Sequence, residues 1–476
     1  MSNCQPLLPQ FRAQLASYGL RRTLAKTRAH TLSSLEALAA PALPNVSLAP
    51  TESGANSREC TYSMRRVFWC FLWQMLNPQT SGREVVRQLQ ALLALLGLGK
   101  ISSADGAFCA AKARLPLAVL KTALSDSARS ADQRAGPFTY PGLEREVVAV
   151  DGSTSSAADT AKNQRRFPQS RSQAPGCGFP LVKFVVFFSL ASGAIFDVII
   201  GNKHAHEVRL FRKLWQRLKS GTILLADRGF SDYVTLAELS SRGIDVVTRL
   251  HQGRDPDARI GKRLGPGDRL RVLTKPTLRP ASLAKRIWNV LTPELTVRLI
   301  TVKLKVKGFR PGLITLATTL LDVEAYPRKM IEDLYLYRWR LELCLKDIKT
   351  TMGMEELRAK SPAMIEKELY AYLVAYNLIR WIMADAAREH SVALVRLSFK
   401  GTVDAVRHFS LALGVAKTGK RRRELYATLL ETLAEDLVPD RPGRREPRAL
   451  KRRLKPFALL TKHRRCYKEK PHRGKQ

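Results

Sequence analysis

The spacing of apolar residues changes character several times along the 476-residue chain, and each change predicts a different element. Residues 1–60 mix short helical patches with Pro, Ser and Ala, and predict a flexible N-terminal arm. From Arg65 to Leu76 the chain is strongly apolar with Trp69 and Trp73 four apart, and Ser81 to Leu98 repeats an amphipathic helical spacing. Asp105 to Arg114 and Leu117 to Ala128 continue it. Arg65, Arg66, Arg83, Arg87, Lys112 and Arg114 lie between the apolar positions, so 61–135 is expected to be a helical DNA-binding domain; a plain bundle with a basic surface is the alternative.

Between Glu146 and Leu250 the period becomes that of strands. Val147 to Val150 runs into Asp151-Gly152, Lys183 to Leu190 and Ala194 to Ile200 flank a turn at Ser192-Gly193, and Thr222 to Ala226 runs into Asp227-Arg228-Gly229. Asp245 to Leu250 makes a fifth strand, with helices at Glu207 to Leu218 and Tyr233 to Ser241. This order predicts an α/β fold with a mixed sheet, three strands meandering and the later ones joined by crossovers. The first part of that core is expected over 140–250 and strand-like alternation over 251–330, as in Leu295 to Val306. Helices are expected over 331–400, and a helical C-terminal region with a basic tail over 401–476.

The stretch from Tyr335 to Lys349 carries the strongest signal. At about 100° per residue, Tyr335, Arg338, Glu342 and Lys349 fall within roughly 60° of one another, with Lys346 beside them. Leu336, Trp339 and Leu343 flank that stripe on one side, and Leu334, Leu341, Leu345 and Ile348 on the other, leaving Asp333, Tyr337, Arg340 and Asp347 for solvent. A helix gripped on both flanks would hold one carboxylate among cations in a fixed place. Ordinary exposed helices carry the same i,i+4 pairs, worth about 0.2–0.5 kcal/mol each, so the stripe alone decides nothing.

Composition narrows the choice. The formal net charge is +39, with 45% hydrophobic residues, so the chain has a core and an excess of cations suited to a polyanion, nucleic acid first. Residues 441–476 hold 15 Lys and Arg against two Glu. The seven cysteines have no CxxC or His-rich spacing, which points away from zinc and from a disulfide framework. The longest apolar run, Leu369 to Ala387, is interrupted by Asn377, Arg380 and Asp385, and reads as a buried helix rather than a membrane span. The cysteine count suits a reducing cytoplasm, and no membrane partner is expected.

Asp151 and Asp227 each end an apolar strand, and open α/β sheets place ligands at the carboxyl ends of strands. Joined by Glu342 from a packed helix, they would give three hard oxygen donors suited to Mg²⁺, with Mn²⁺ as substitute. Two such ions about 3.5–4 Å apart serve phosphoryl transfer. Taken singly, each Asp-Gly is more often a turn. Arg165, Arg166 and Arg171, in the loop after the first strand, are further candidates for contact with DNA. His204 and His206 lie where a helix begins, and a cap is the simpler reading.

Tyr335, Arg338, Glu342 and Lys349 match the Y-x2-R-x3-E-x6-K signature of the DDE transposases of the insertion-sequence-four family. Val150-Asp151-Gly152 and Ala226-Asp227-Arg228-Gly229-Phe230 resemble that family's two aspartate motifs. The resemblance covers about residues 140–390. It implies an RNase H-like core in which Asp151, Asp227 and Glu342 are catalytic and ligate the metal, and in which Tyr335, Arg338, Lys349 and Arg249 contact DNA. It also implies a β-rich insertion over 251–330, a catalytic helix and closing helices of the core over 331–400, and a homodimer on double-stranded DNA in the nucleoid of a prokaryotic cell, acting at terminal inverted repeats and on target DNA. Two rivals stay open: a hydrolytic nuclease of the same fold, and a non-catalytic DNA-binding repressor derived from a transposase.

Overall fold

The structure, a computed structural model, describes residues 34–49, 54, 61–95, 97, 99–250, 260–281, 283–304, 312–416, 418–439 and 459–467. Helices α1 (Ser34–Ala39), α2 (Met64–Leu76), α3 (Gly82–Leu95), α4 (Gly106–Arg114) and α5 (Leu117–Ala135) precede the sheet. Ser63 caps α2 by accepting from the Arg66 amide, as a helix start of this kind requires. Of the expected N-terminal arm, residues 1–33 and nearly all of 50–60 lie outside the described residues, and the stretch from 34 to 49 needs a correction. Leu35, Leu38, Ala39 and Ala42 are buried in the main core, and α1 packs on the later helix Phe399–Val415. One and a half turns are too short for periodicity to reveal, but their apolar stripe finds a cover.

The strands are β1 (Val147–Ala157), β2 (Leu181–Ser189), β3 (Ile195–Asn202), β4 (Ile223–Ala226) and β5 (Asp245–Arg249), then β6 (Lys262–Gly265), β7 (Asp268–Thr274), β8 (Glu294–Leu304), β9 (Gly312–Thr318) and β10 (Glu356–Leu357). They form one ten-stranded sheet in the order β3-β2-β1-β4-β5-β9-β8-β7-β6, with β10 paired to the end of β1. β1, β2 and β3 meander antiparallel, while β4 and β5 run parallel to β1. The strands of 262–318 continue this same sheet, because β9 pairs antiparallel with β5. A short helix, Lys285–Val290, interrupts their alternation.

Successive side chains of a strand face opposite sides. Val147 and Ala149 enter the core cluster that also contains α5 and the helix α12 (Pro362–Glu389), while Val148 and Val150 face the cluster of Phe211, Trp215 and Phe230. The three polar interruptions of α12 are each accounted for. The Asn377 carboxamide accepts from the Ile195 amide at 2.8 Å and donates to the Ile195 carbonyl at 2.7 Å. Arg380 donates to the Ser192 carbonyl at 2.6 Å, and Asp385 accepts from Arg134 at 2.9 Å and from the Tyr426 hydroxyl at 2.6 Å. No helix among the described residues is long and apolar enough to cross a membrane.

Arg298 on β8 is fully buried; it donates to Asp268 at 2.9 Å and 2.6 Å and to the Tyr326 carbonyl at 2.6 Å. It thereby ties β7 and β8 to the segment that leads toward the helix that carries Glu342. Arg298→Ala leaves the Asp268 carboxylate buried and unpaired, and is expected to cost about 3–5 kcal/mol in urea unfolding. The double replacement Arg298→Met with Asp268→Leu is expected to cost far less.

Candidate active site

The pairing of β1 with β4 aligns Val147 with Ile223, Val148 with Leu224 and Ala149 with Leu225. The same register carried two residues further brings Asp151 level with Asp227. Both aspartates also continue the face that Val147, Ala149, Ile223 and Leu225 share. On the β4 side, pairing of β1 stops at Ala149 and resumes with β10 only at Ser156, so Asp151 lies at a notch in the sheet. The helix that carries Glu342 packs against β1 there.

That helix differs from the sequence expectation. It is α10 (Arg328–Tyr337) followed by α11 (Trp339–Lys346) and a π-helical turn, Asp347–Thr351, rather than one continuous helix. Around Arg338 the backbone tightens to three-residue spacing, with the Arg338 amide on the Tyr335 carbonyl at 3.2 Å and the Leu341 amide on the Arg338 carbonyl at 3.0 Å. One expected flank is therefore not gripped: Trp339 is 41% and Leu343 52% exposed, whereas Leu334, Leu341, Leu345 and Ile348 are buried.

Arg338 is the centre of the cluster. Its guanidinium donates to Glu342 at 3.1 Å, stands 4.0 Å from Asp227, and lies 5.4 Å from the centre of the Tyr335 ring. Burial opposes its charge, but Tyr335, Asp227, Glu342 and Asp151 outweigh that and hold it more strongly protonated than an ordinary arginine. Tyr335 is itself buried, which raises its hydroxyl pKa against the fields of Arg338 and Arg249. Arg249, the last residue of β5, pairs with Leu316 on β9 and thus sits on the same side of the notch as Asp227.

Burial pushes the Asp151 carboxyl up to about 6; the nearby Glu342 and Asp227 add to this, and the Gly152 amide and Arg338 act against it. An unfolded Asp titrates near 4. Below that pH the carboxyl is neutral in both states and carries no penalty; as pH rises through about 6 the folded protein must hold a charge it disfavours. The DNA-free protein should therefore lose stability over that window, and Asp151→Asn should gain about 1–2 kcal/mol at neutral pH, discounted from the full shift because the residue keeps partial exposure. Urea midpoints of both proteins at pH 4.5 and 7.5 test this; a gain that is equal at the two pH values would contradict it.

Asp151, Glu342, Lys346 and Lys349 line one cavity of about 330 Å³ with Ser153, Thr350 and Glu355. Glu355 is a fourth carboxylate that the sequence did not signal. It arrives there because the π turn is closed by the Met354 amide on the Ile348 carbonyl at 3.2 Å and the Glu355 amide on the Lys349 carbonyl at 3.2 Å, which sends the chain back along β1. Among the described residues, no group of three His, Cys, Asp or Glu side chains is close enough as it stands to hold a metal ion. The carboxylates are instead grouped around Arg338. His206 takes the cap position before the helix Glu207–Arg212 but makes no side-chain cap bond, so the capping expected of it is not realised.

A mixed sheet that sets Asp151, which lies inside β1 rather than at its end as expected, near Asp227, which directly follows β4, beside a helix bearing Arg338 and Glu342 suits phosphoryl transfer, and the comparisons make the class definite. Residues 142–378 match the family described as Transposase DDE domain. The transposase InsG of insertion sequence element IS4 from Escherichia coli K12 is 27% identical over 407 residues, covering 84% of this chain and 88% of that protein. The transposase of insertion sequence element IS421 from Escherichia coli is 35% identical over 68 residues, 14% of this chain and 18% of its own. A cryo-EM structure of the piggyBac transposase synaptic complex with hairpin DNA gives a TM-score of 0.41 at 11% identity, over 87% of this chain and 84% of that one, too distant to bear on the fold. The chain belongs to the insertion-sequence-four family of DDE transposases. It is an insertion-sequence transposase, a DNA-cleaving and strand-transferring enzyme of a family that uses divalent metal ions.

Proposed function

We propose that this transposase cuts at the ends of its own element through Asp151, Asp227 and Glu342, and joins the freed 3′ ends to target DNA. The observation that carries the assignment is the placement of Asp151 on β1 and of Asp227 directly after β4, the adjacent parallel strand, with Glu342 tied to the same point through Arg338. The sheet order, an antiparallel meander followed by parallel crossovers, supports an RNase H-like core.

The three carboxylates fit Mg²⁺ or Mn²⁺ by donor chemistry: hard oxygens, no His or Cys among them, and one carboxyl raised to about 6 that a cation would relieve. They would hold two ions. When bound, the ions supply a more acidic attacking hydroxyl group and neutralise charge at the phosphate. The chain's own part is positioning and charge. Arg338 holds Glu342 in place, while Lys346 and Lys349 face the cavity from the opposite end of the helix and bind phosphate oxygens. Tyr335 supports the Arg338 guanidinium with its ring, and Arg249 takes the neighbouring phosphate. The helices of 61–135 recognise the terminal inverted repeats, and two copies assemble on a pair of ends in the cytoplasm of a prokaryotic cell.

Mn²⁺ titration of the DNA-free protein, followed by the spin signal of the free ion, tests the ligand assignment. Asp227→Asn is expected to weaken uptake at least about tenfold, in the range that loss of ligand-shell groups produces. Unchanged uptake would remove Asp227 from the ligand set.

A further inference from the structure

The loop between β1 and β2 is rigid and basic. The Gln169 carboxamide oxygen accepts from the Gly176 amide at 3.0 Å and the Gly178 amide at 3.1 Å, and its nitrogen donates to the Ala174 carbonyl at 2.8 Å. Gln164 donates to the Gly178 carbonyl at 2.8 Å. On this platform Lys162, Arg165, Arg166 and Arg171 are all exposed, and Asp159 is the one acid of residues 158–180. The loop starts where β1 meets β10, directly after Glu355 has lined the catalytic cavity, and Ser156 donates to the Glu355 carbonyl at 3.0 Å.

A distant piece of chain sits on this platform. Residues 459–467 close on themselves, with the Thr461 amide on the Tyr467 hydroxyl at 3.1 Å, Lys462 5.2 Å from the centre of the Tyr467 ring, and the Arg465 amide on His463 Nδ1 at 3.2 Å. The Cδ2 edge of the His463 ring abuts Gly176, so close that a Cβ on Gly176 would overlap it. Gly176 also has φ +75, a second reason for glycine there. Lys462 and Arg465 flank His463 in sequence and, like the four loop cations, are exposed.

We propose that segment 459–467 docks on the β1–β2 loop through His463 and Gly176, and that the two together form one phosphate-binding surface for the DNA flanking the cleavage point. The proposal deepens the transposase reading above and rests on it. Asp151 and Ser156 are five residues apart on β1, about 17 Å at strand rise, so the surface meets the duplex about half a helical turn from the cut. Local charge supports DNA: the two segments joined by the His463–Gly176 contact carry six exposed cations, Lys162, Arg165, Arg166, Arg171, Lys462 and Arg465, against Asp159 as the one acid.

Two measurements test it on the full-length protein. A short bis-maleimide should join Cys177 to Cys466, the native thiols beside the contact, as read by mass spectrometry; a yield no higher than in urea would overturn the docking. Binding of a labelled random-sequence duplex should lose salt dependence when Lys462, Arg464 and Arg465 are all changed to Ala. The slope of log affinity against log salt should fall by about 2–3, near 0.9 for each phosphate that is no longer neutralised. An equal fall from Lys420→Ala, Arg422→Ala and Arg423→Ala on the exposed start of the helix Gly419–Glu435 would mean that charge counts anywhere, and would overturn the surface. Both readouts are independent of cleavage, so they can fail while the carboxylate site stands, and the reverse.

Discussion

Glu342→Gln is expected to lower strand cleavage at the element's ends by about 10²–10³-fold or more while DNA affinity stays within about threefold. The substitution keeps size and hydrogen bonding but removes one negative charge from a cluster of three. Glu342 accepts from Arg338 at 3.1 Å, and a Gln carbonyl can accept the same bond, so the helix has no reason to move. What is lost is the charge that a divalent cation needs. Single-turnover cleavage beside gel-shift affinity separates the two effects. A parallel fall in both would mean that Glu342 serves binding.

Arg338→Ala should give the second large effect, a loss of about 10²-fold or more in cleavage with an altered pH profile. The arginine is only 8% exposed and is the cation common to Asp227, Glu342 and Asp151. Removing it takes away a field that now opposes the rise of the Asp151 carboxyl to about 6. With that field gone the carboxyl titrates higher still, so the acid limb of the cleavage profile moves to higher pH. Arg338→Lys keeps the charge but not the planar fork that reaches two carboxylates. It should leave the limb near the wild-type position while still lowering the rate. A limb that shifts equally in both variants would contradict this division between charge and geometry.

Much of the core was legible because its signals are local. The start of the strand that carries Asp151, the strand that leads into Asp227, the turn at Ser192-Gly193 and the buried helix through Asn377 follow from period and turn residues alone, whereas the continuation of β1 past Asp151 to Ala157 does not. The polar stripe from Tyr335 to Lys349 singled out the segment that the structure sets beside Asp151 and Asp227. Its exact faces were not legible, since a tightened turn at Arg338 and a π turn after Lys346 break the 100° progression on which the stripe was drawn. Trp339 and Leu343 face outward for that reason. Pairing of β1 with β4 spans a long sequence separation, and no local pattern states its register, so the level placement of the two aspartates came only with the fold. Glu355 was silent for the same reason: its approach depends on β10 joining the end of β1. The helix at Ser34–Ala39 escaped because so short an element owes its existence to the surface it covers.

Whether Asp151, Asp227 and Glu342 cut DNA at the ends of this element is best measured as strand cleavage with Mg²⁺ or Mn²⁺. The substrates are duplexes that carry the DNA flanking this gene, with wild type run beside Glu342→Gln. Cuts at fixed positions are expected in the wild type, and they should vanish in the variant and with EDTA. Binding of both flanks without any metal-dependent cut, or cuts that persist at full rate in Glu342→Gln, would contradict the assignment.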